Sequence, residues 1–227
     1  HPGTFPAHMG TGSAWKYVPF GVIVLIPVVK AAVEFAGRGS IRFRQAEMRT
    51  SIRLISAMDE ERAAEALYCA LRPAGDDGVV VAGFDTEWSE GSGVALIQLT
   101  IHGVTYLFRC GEDIGNMISP SLRKILNHPR IFKVGVAVQG DLKRLRAGHR
   151  CNAGPMIDLQ RLVRMAIPPA ETAQKECLSL QSIVYFLTGT LLDKSKDIQC
   201  SDWNASALSP TQLNYAAADS YYPREAL

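Results

Sequence analysis

The chain has 227 residues, 47% of them apolar and 20% charged, which is the composition of a folded globular domain and excludes wholesale disorder. That length is enough to bury one full hydrophobic core and carry an extension beside it. A formal net charge of +2 gives no overall basic field, so a polyanion would have to be gripped by a local groove.

Five cysteines, Cys69, Cys110, Cys151, Cys177 and Cys200, are odd in number, scattered, and never spaced as CxxC. They indicate neither a disulfide framework nor a zinc site and fit a reducing, intracellular setting. Each is expected as a small buried apolar residue. Among compartments the nucleus is favoured, ahead of mitochondrion or cytoplasm.

Residues 1–14, rich in Gly, Pro, Thr and Ser and containing His8-Met9, read as a tag remnant or disordered leader. Residues 15–50 form an N-terminal extension. Its uncharged run from Tyr17 to Val29 holds Pro19 and Pro27 and is followed by Lys30, Arg38, Arg42 and Arg44. The run falls short of the roughly 18 apolar residues of a membrane span, so no stable span is expected. A buried strand or arm is its first reading, and a partial anchor or targeting segment its second.

Residues 51–227 read as the functional domain. A β-branched piece, Ile52 to Ile55, precedes an amphipathic helix from Asp59 to Leu71 that turn formers end at Pro73 to Gly78. Val79 to Phe84 is an apolar run of strand length that stops at Asp85. Val94–Thr100 and Val104–Phe108, joined by His102-Gly103, form a hairpin, and the three runs make adjacent antiparallel strands. A helix over Pro120–Leu126 is broken at Pro129, and Ile131 to Val138 is a β-branched strand leading to Gly140 and Asp141. Leu142 to Leu145 opens a basic helix, Met156–Asp158 is a short strand, and Leu159–Met165 is helical. Leu178 to Leu187 is a helix closed by Gly189. The last helix has Ser209 as N-cap, Pro210 at its first position, and runs from Thr211 to Tyr222. Pro223 is expected to kink it or mark a chain cut short. The order of elements predicts an α/β fold with a central mixed sheet flanked by helices.

Three segments carry carboxylates in suggestive places. Alternation along an extended strand end puts Asp85 and Glu87 on one face, where they could share a cation or be a solvated turn. Asp141, just after a run too apolar for an exposed strand, reads as a helix N-cap or as a further ligand. Tyr215 and Asp219, four apart on a helix, point the same way, either into a site or as a part-core Tyr beside an exposed Asp, and the alanines between them let the helix lie close to a metal site or a sheet. Four acids in three segments supply the oxygen ligands that hard divalent cations require, and such cations activate water for attack on a phosphodiester.

These residues resemble the DEDDy-type 3′-5′ exonucleases, the family of ribonuclease D, the Werner syndrome exonuclease domain and the proofreading domain of DNA polymerase I. Phe84-Asp85-Thr86-Glu87-Trp88 is similar to the first motif, Val134-Gly135-Val136 through Asp141 to the second, and Tyr215-Ala-Ala-Ala-Asp219 to the third. Leu178-Ser-Leu180, Ser201-Asp202-Trp203, Lys133-Val-Gly-Val and Asp193-Lys-Ser resemble the ribonuclease D and Werner branch. The resemblance implies a ribonuclease-H-like fold, two Mg2+ or Mn2+ ions, and release of nucleoside monophosphates from the 3′ end of DNA or RNA. Asp85 would bridge both ions, Glu87 and Asp219 would complete the site of the ion that binds the attacking water, Asp141 would hold the second through water, and Tyr215 would orient the nucleophile.

Trp88 is either a wall for the terminal nucleotide or core packing. Lys143 and Arg144, with Arg146, His149 and Arg150, could line a groove for the phosphate backbone or be a solvated face. The alternative to an enzyme is a catalytically silent scaffold that binds RNA or protein. No 2′-hydroxyl reader is visible to choose DNA or RNA, and oligomeric state and protein partners are left open.

Overall fold

The computed structural model describes residues 44–45, 48–71, 78–89, 91, 93–110, 118–166, 178–188, 190–192 and 194–227. The Tyr17 to Val29 run, Cys177 and Gly189 lie outside them. In chain order the elements are β1 (Arg44–Gln45), β2 (Ser51–Ile55), α1 (Glu60–Leu71), β3 (Val80–Trp88), β4 (Val94–Ile101), β5 (Val104–Arg109), α2 (Pro120–Asn127), β6 (Ile131–Gly135), α3 (Gln139–His149), β7 (Met156–Asp158), α4 (Leu159–Ala166), α5 (Leu180–Thr188), β8 (Thr190–Leu191), α6 (Lys196–Gln199) and α7 (Pro210–Glu225).

Six strands form one mixed sheet in the order β2-β5-β4-β3-β6-β7, and β1 pairs with β8 in a small separate sheet. The β3-β4-β5 meander is antiparallel, as its short connections require, while β2, β6 and β7 add in parallel. His102 and Gly103 both take positive φ, 50° and 75°, the mirror-image turn that matches the twist of a hairpin. The expected α/β architecture with a central mixed sheet is therefore present.

Side-chain alternation along β3 sorts the two faces of the sheet. Val80, Ala82 and Phe84 point into a core shared with Ala64 and Leu67 of α1, Leu122 and Ile125 of α2 and Leu145 of α3. The other face carries α7, which packs on β3, β4, β5 and β6. Gly83 is what lets α7 lie there: a Cβ at that position would stand 1.7 Å from the carbonyl oxygen of Ser220. Buried hydroxyls fasten the same contact, since Thr100 Oγ1 is 2.8 Å from both Ser220 Oγ and Thr105 Oγ1.

Helix α7 begins as its sequence predicts. The Ser209 hydroxyl accepts from the Gln212 N–H, the Gln212 side-chain oxygen accepts from the Ser209 N–H, and Pro210 takes the first turn. Its end differs, because the helix runs through Pro223 to Glu225. Proline there lacks the N–H that would close on the Asp219 carbonyl, and only two further helical residues follow it. Other bounds shift as well. β6 stops at Gly135, short of Val138, because Ala137 adopts φ 57° in the turn that follows, and α3 starts at Gln139. Of the four described cysteines, Cys110 and Cys151 are buried as expected, whereas Cys69 and Cys200 are exposed.

Lys133 is an unusual core residue. It projects from β6 on the α1–α2 side, fully buried, and its ammonium donates to Ile131 O at 2.7 Å. Burial pushes its pKa down to about 7 from the ordinary 10.5. The unfolded chain therefore binds more protons between those values, and stability should rise with pH across that interval. Lys133→Met is expected to stabilise the fold by roughly 3–5 kcal/mol at pH 7 and below, a gain that shrinks toward pH 10. Urea unfolding at several pH values measures this, and a gain independent of pH would show that the buried ammonium is not its source.

Candidate active site

The site forms where β3 ends against α7. Alternation continues past Gly83, so Asp85 and Glu87 emerge on the α7 face, and the helix brings Asp219 over them. One carboxylate oxygen from each of Asp85, Glu87 and Asp219 lies within 4.8 Å of the others. Thr86, between the two acids, faces the opposite side, where its hydroxyl donates to Asp141 Oδ1 at 2.6 Å. Asp141 thus reaches the same cavity around the strand end and stands outside the tight trio. It is the third residue of α3, and the cap position falls to Val138. A second glycine makes room for this arm: a Cβ on Gly135 would be 2.6 Å from Phe84 O and from Val138 Cγ1.

All five residues of the expected constellation line one cavity of about 390 Å³, together with Trp88, Gln160, Gln181 and Lys194. Burial raises every acid in it, because the charged form loses water and faces its neighbours' charges. Glu87 is pushed up to about 9 by burial and then by Asp219, and Gln98 Nε2 donates to it at 3.4 Å. Asp141 is pushed up to about 6 by burial, against the Thr86 hydrogen bond. Burial also raises Asp85, with Asp141, Asp219 and Glu87 adding to it, and raises Asp219 with Lys194 opposing. Tyr215 is held above the ordinary phenol range by burial and by the acids. It stays protonated at neutral pH, and its hydroxyl oxygen accepts from the Lys194 ammonium at 3.4 Å.

A trio of buried carboxyl oxygens at this spacing is the donor set of a hard divalent cation. Sodium-like screening would not repay three desolvated acids, so the residues fit a divalent ion. Tyr215 is fixed from beneath by Trp203, which is fully buried with ring centroids 6.1 Å apart. The Ser201-Asp202-Trp203 segment ties to the end of β3 through Ser89, whose hydroxyl accepts from Trp203 N–H at 3.0 Å.

Of the three substrate-contact residues expected, Trp88 lines the cavity. The guanidinium of Arg144 stacks over its ring at 3.6 Å from the centroid and also donates to Gly140 O. Lys143 is exposed on α3 and is not among the cavity residues. The expected groove is corrected at His149, the last residue of α3, which is 5% exposed and turned toward the core. Sequence reasoning gave Lys194 no role, yet its ammonium pairs with Asp219 Oδ1 and lies 3.4 Å from the Tyr215 hydroxyl. Its only signal was the Asp193-Lys-Ser stretch.

A mixed sheet with acids at the end of its central strand and a C-terminal helix closing over them defines the ribonuclease-H-like nuclease architecture. A family model described as 3′-5′ exonuclease matches residues 55–225, and the chain belongs to that family, in its DEDDy branch. The "Exonuclease 3′-5′ domain-containing protein 2" of Drosophila melanogaster is 38% identical over 144 residues, covering 61% of this chain and 23% of that protein. The bifunctional 3′-5′ exonuclease/ATP-dependent helicase WRN of Mus musculus is 32% identical over 152 residues, or 64% of this chain and 10% of that one. The crystal structure of Escherichia coli RNase D, described as an exoribonuclease involved in structured RNA processing, superposes with a TM-score of 0.59 at 26% identity, covering 76% of this chain and 42% of that chain. The chain thus spans less than half the length of each. Among the described residues no helix is long and apolar enough to cross a membrane.

Proposed function

We propose that the chain hydrolyses the 3′-terminal phosphodiester of DNA or RNA with two divalent ions, Mg2+ or Mn2+, and releases nucleoside monophosphates. The observation that carries this reading is the meeting of Asp85, Glu87 and Asp219 within 4.8 Å at the floor of a cavity that Asp141 and Tyr215 also line. When bound, the cations lower the pKa of a coordinated water and offset the charge on the departing oxygen.

The chain's own residues do the rest. Asp85, Glu87 and Asp219 would hold the ion that carries the attacking water, Asp85 would also serve a second ion, and Asp141 would help to hold that second one. Tyr215 donates its hydroxyl hydrogen to the attacking water and sets its line of approach, since a phenol held protonated cannot act as a base at pH 7. Trp88, backed by Arg144, forms the wall against which a terminal base stacks. A volume of about 390 Å³ lies within the range of small-ligand sites, which suits a terminal nucleotide better than an internal stretch of strand. The scaffold reading gains no support from four acids gathered at a cost in mutual repulsion.

Oligonucleotides labelled at the 5′ end, incubated with the purified chain and Mg2+ or Mn2+, should shorten one nucleotide at a time from the 3′ end and stay intact in EDTA. Equal loss of 3′-blocked and 3′-hydroxyl strands, or cleavage in EDTA, would contradict the reading. Matched DNA and RNA strands in the same assay decide the substrate.

A further inference from the structure

The Lys194 ammonium touches the Asp219 carboxylate, stands 3.4 Å from the Tyr215 hydroxyl, and lies 4.4 Å from the centroid of the Tyr215 ring. Its side chain is 23% exposed while that of Asp219 is 4% exposed, so the lysine enters the site from the cavity side. It sits on the connection between β8 and α6, outside both elements, whereas the acids it meets are fixed on β3 and α7. Among the described residues this is the one ion pair made by the three clustered acids. A cation on a flexible stem therefore occupies an oxygen that the donor set offers to a metal.

We infer that Lys194 is an exchangeable counter-ion: it holds Asp219 when the metal is absent, yields that oxygen to the incoming divalent ion, and then contacts a phosphate oxygen of the terminal nucleotide. This rests on the metal-dependent reading above. An ammonium and a divalent ion cannot share one carboxylate oxygen without strong like-charge repulsion, so metal entry requires the lysine to move. Its destination follows from its tether. The Tyr215 ring retains the ammonium through a cation–π contact, and both side chains line the cavity of about 390 Å³ in which a nucleotide fits. A compact ammonium with three donors suits a phosphate there.

Two opposite effects of one substitution test this. Lys194→Met and Lys194→Gln remove the charge while keeping most of the stem, and titration calorimetry measures Mn2+ alone, then a nucleoside monophosphate in saturating Mn2+. Both variants should bind Mn2+ about tenfold tighter than the unaltered chain, because no ion pair is displaced. Both should bind the monophosphate about tenfold more weakly, and Lys194→Arg should keep monophosphate binding close to the original. A lysine that only supports the fold would weaken both ligands together, or leave the protein unable to fold in either variant, and each of those results overturns the inference. Unchanged Mn2+ affinity in the variants overturns it too, while leaving the nuclease reading intact. Absence of Mn2+ binding by the unaltered chain defeats the nuclease reading itself.

Discussion

Gly83→Ala is expected to destabilise the protein by about 3–5 kcal/mol or prevent folding. The added methyl would stand 1.7 Å from Ser220 O and 2.7 Å from its carbonyl carbon, both backbone atoms of α7, so no side-chain rotation relieves it. The helix would have to rise off β3, lifting Asp219 away from Asp85 and breaking the Thr100–Ser220 hydroxyl contact. Gly148→Ala is the matched control. That glycine lies in α3 with open space where its Cβ would go, and alanine there should stabilise by about 0.5–1 kcal/mol through helix propensity. Urea unfolding followed by tryptophan fluorescence compares the two, Trp203 being buried against Tyr215. A Gly83→Ala protein as stable as the original would mean that α7 does not sit on β3 as described.

The second large effect separates function from stability. Asp85→Asn and Asp219→Asn should each lower the rate of 3′-end hydrolysis by about 10³-fold or more, because a ligand oxygen of the metal site loses its charge. Yet Asp85→Asn should melt higher than the original protein in EDTA. Burial and the neighbouring acids already push Asp85 far toward its neutral form, and the amide reproduces that form without the repulsion. Added Mn2+ should raise the melting temperature of the original and leave Asp85→Asn nearly unmoved. Loss of activity accompanied by a fall in metal-free stability would point to general disruption instead. Such opposition between stability and activity is common where a site is built from mutually repelling groups.

Most of the site could be read from the sequence because its signals are local. Strand alternation puts Asp85 and Glu87 on one face and helical spacing does the same for Tyr215 and Asp219, the motif resemblance chooses the site reading over the bland one, and the start of α7 follows from the Ser209-Pro210 cap. What could not be read depends on contacts between distant segments. Gly83 in an apolar run hints at a close backbone approach, but nothing in the run says that Ser220 makes it. The position of Asp141 outside the trio depends on Thr86 facing away from its two acidic neighbours, and the turn at Ala137 that ends β6 early takes a positive φ that alanine does not advertise. Lys194 came from a connection with no periodicity at all. Its pairing with Asp219 exists only once α6 and α7 have folded back along the sheet. The basic run after Asp141 misled in one respect, since charge patterning cannot tell that His149 turns inward while Lys143 and Arg146 turn outward.

Anomalous diffraction at the manganese edge, from crystals of the chain grown with MnCl2, is the most direct measurement of whether these acids share an ion. A peak is expected about 2.1 Å from an oxygen of each of Asp85, Glu87 and Asp219, with a second nearer Asp141. Manganese bound elsewhere, with the three carboxyl groups still clustered and Asp219 still paired with Lys194, would contradict the assignment.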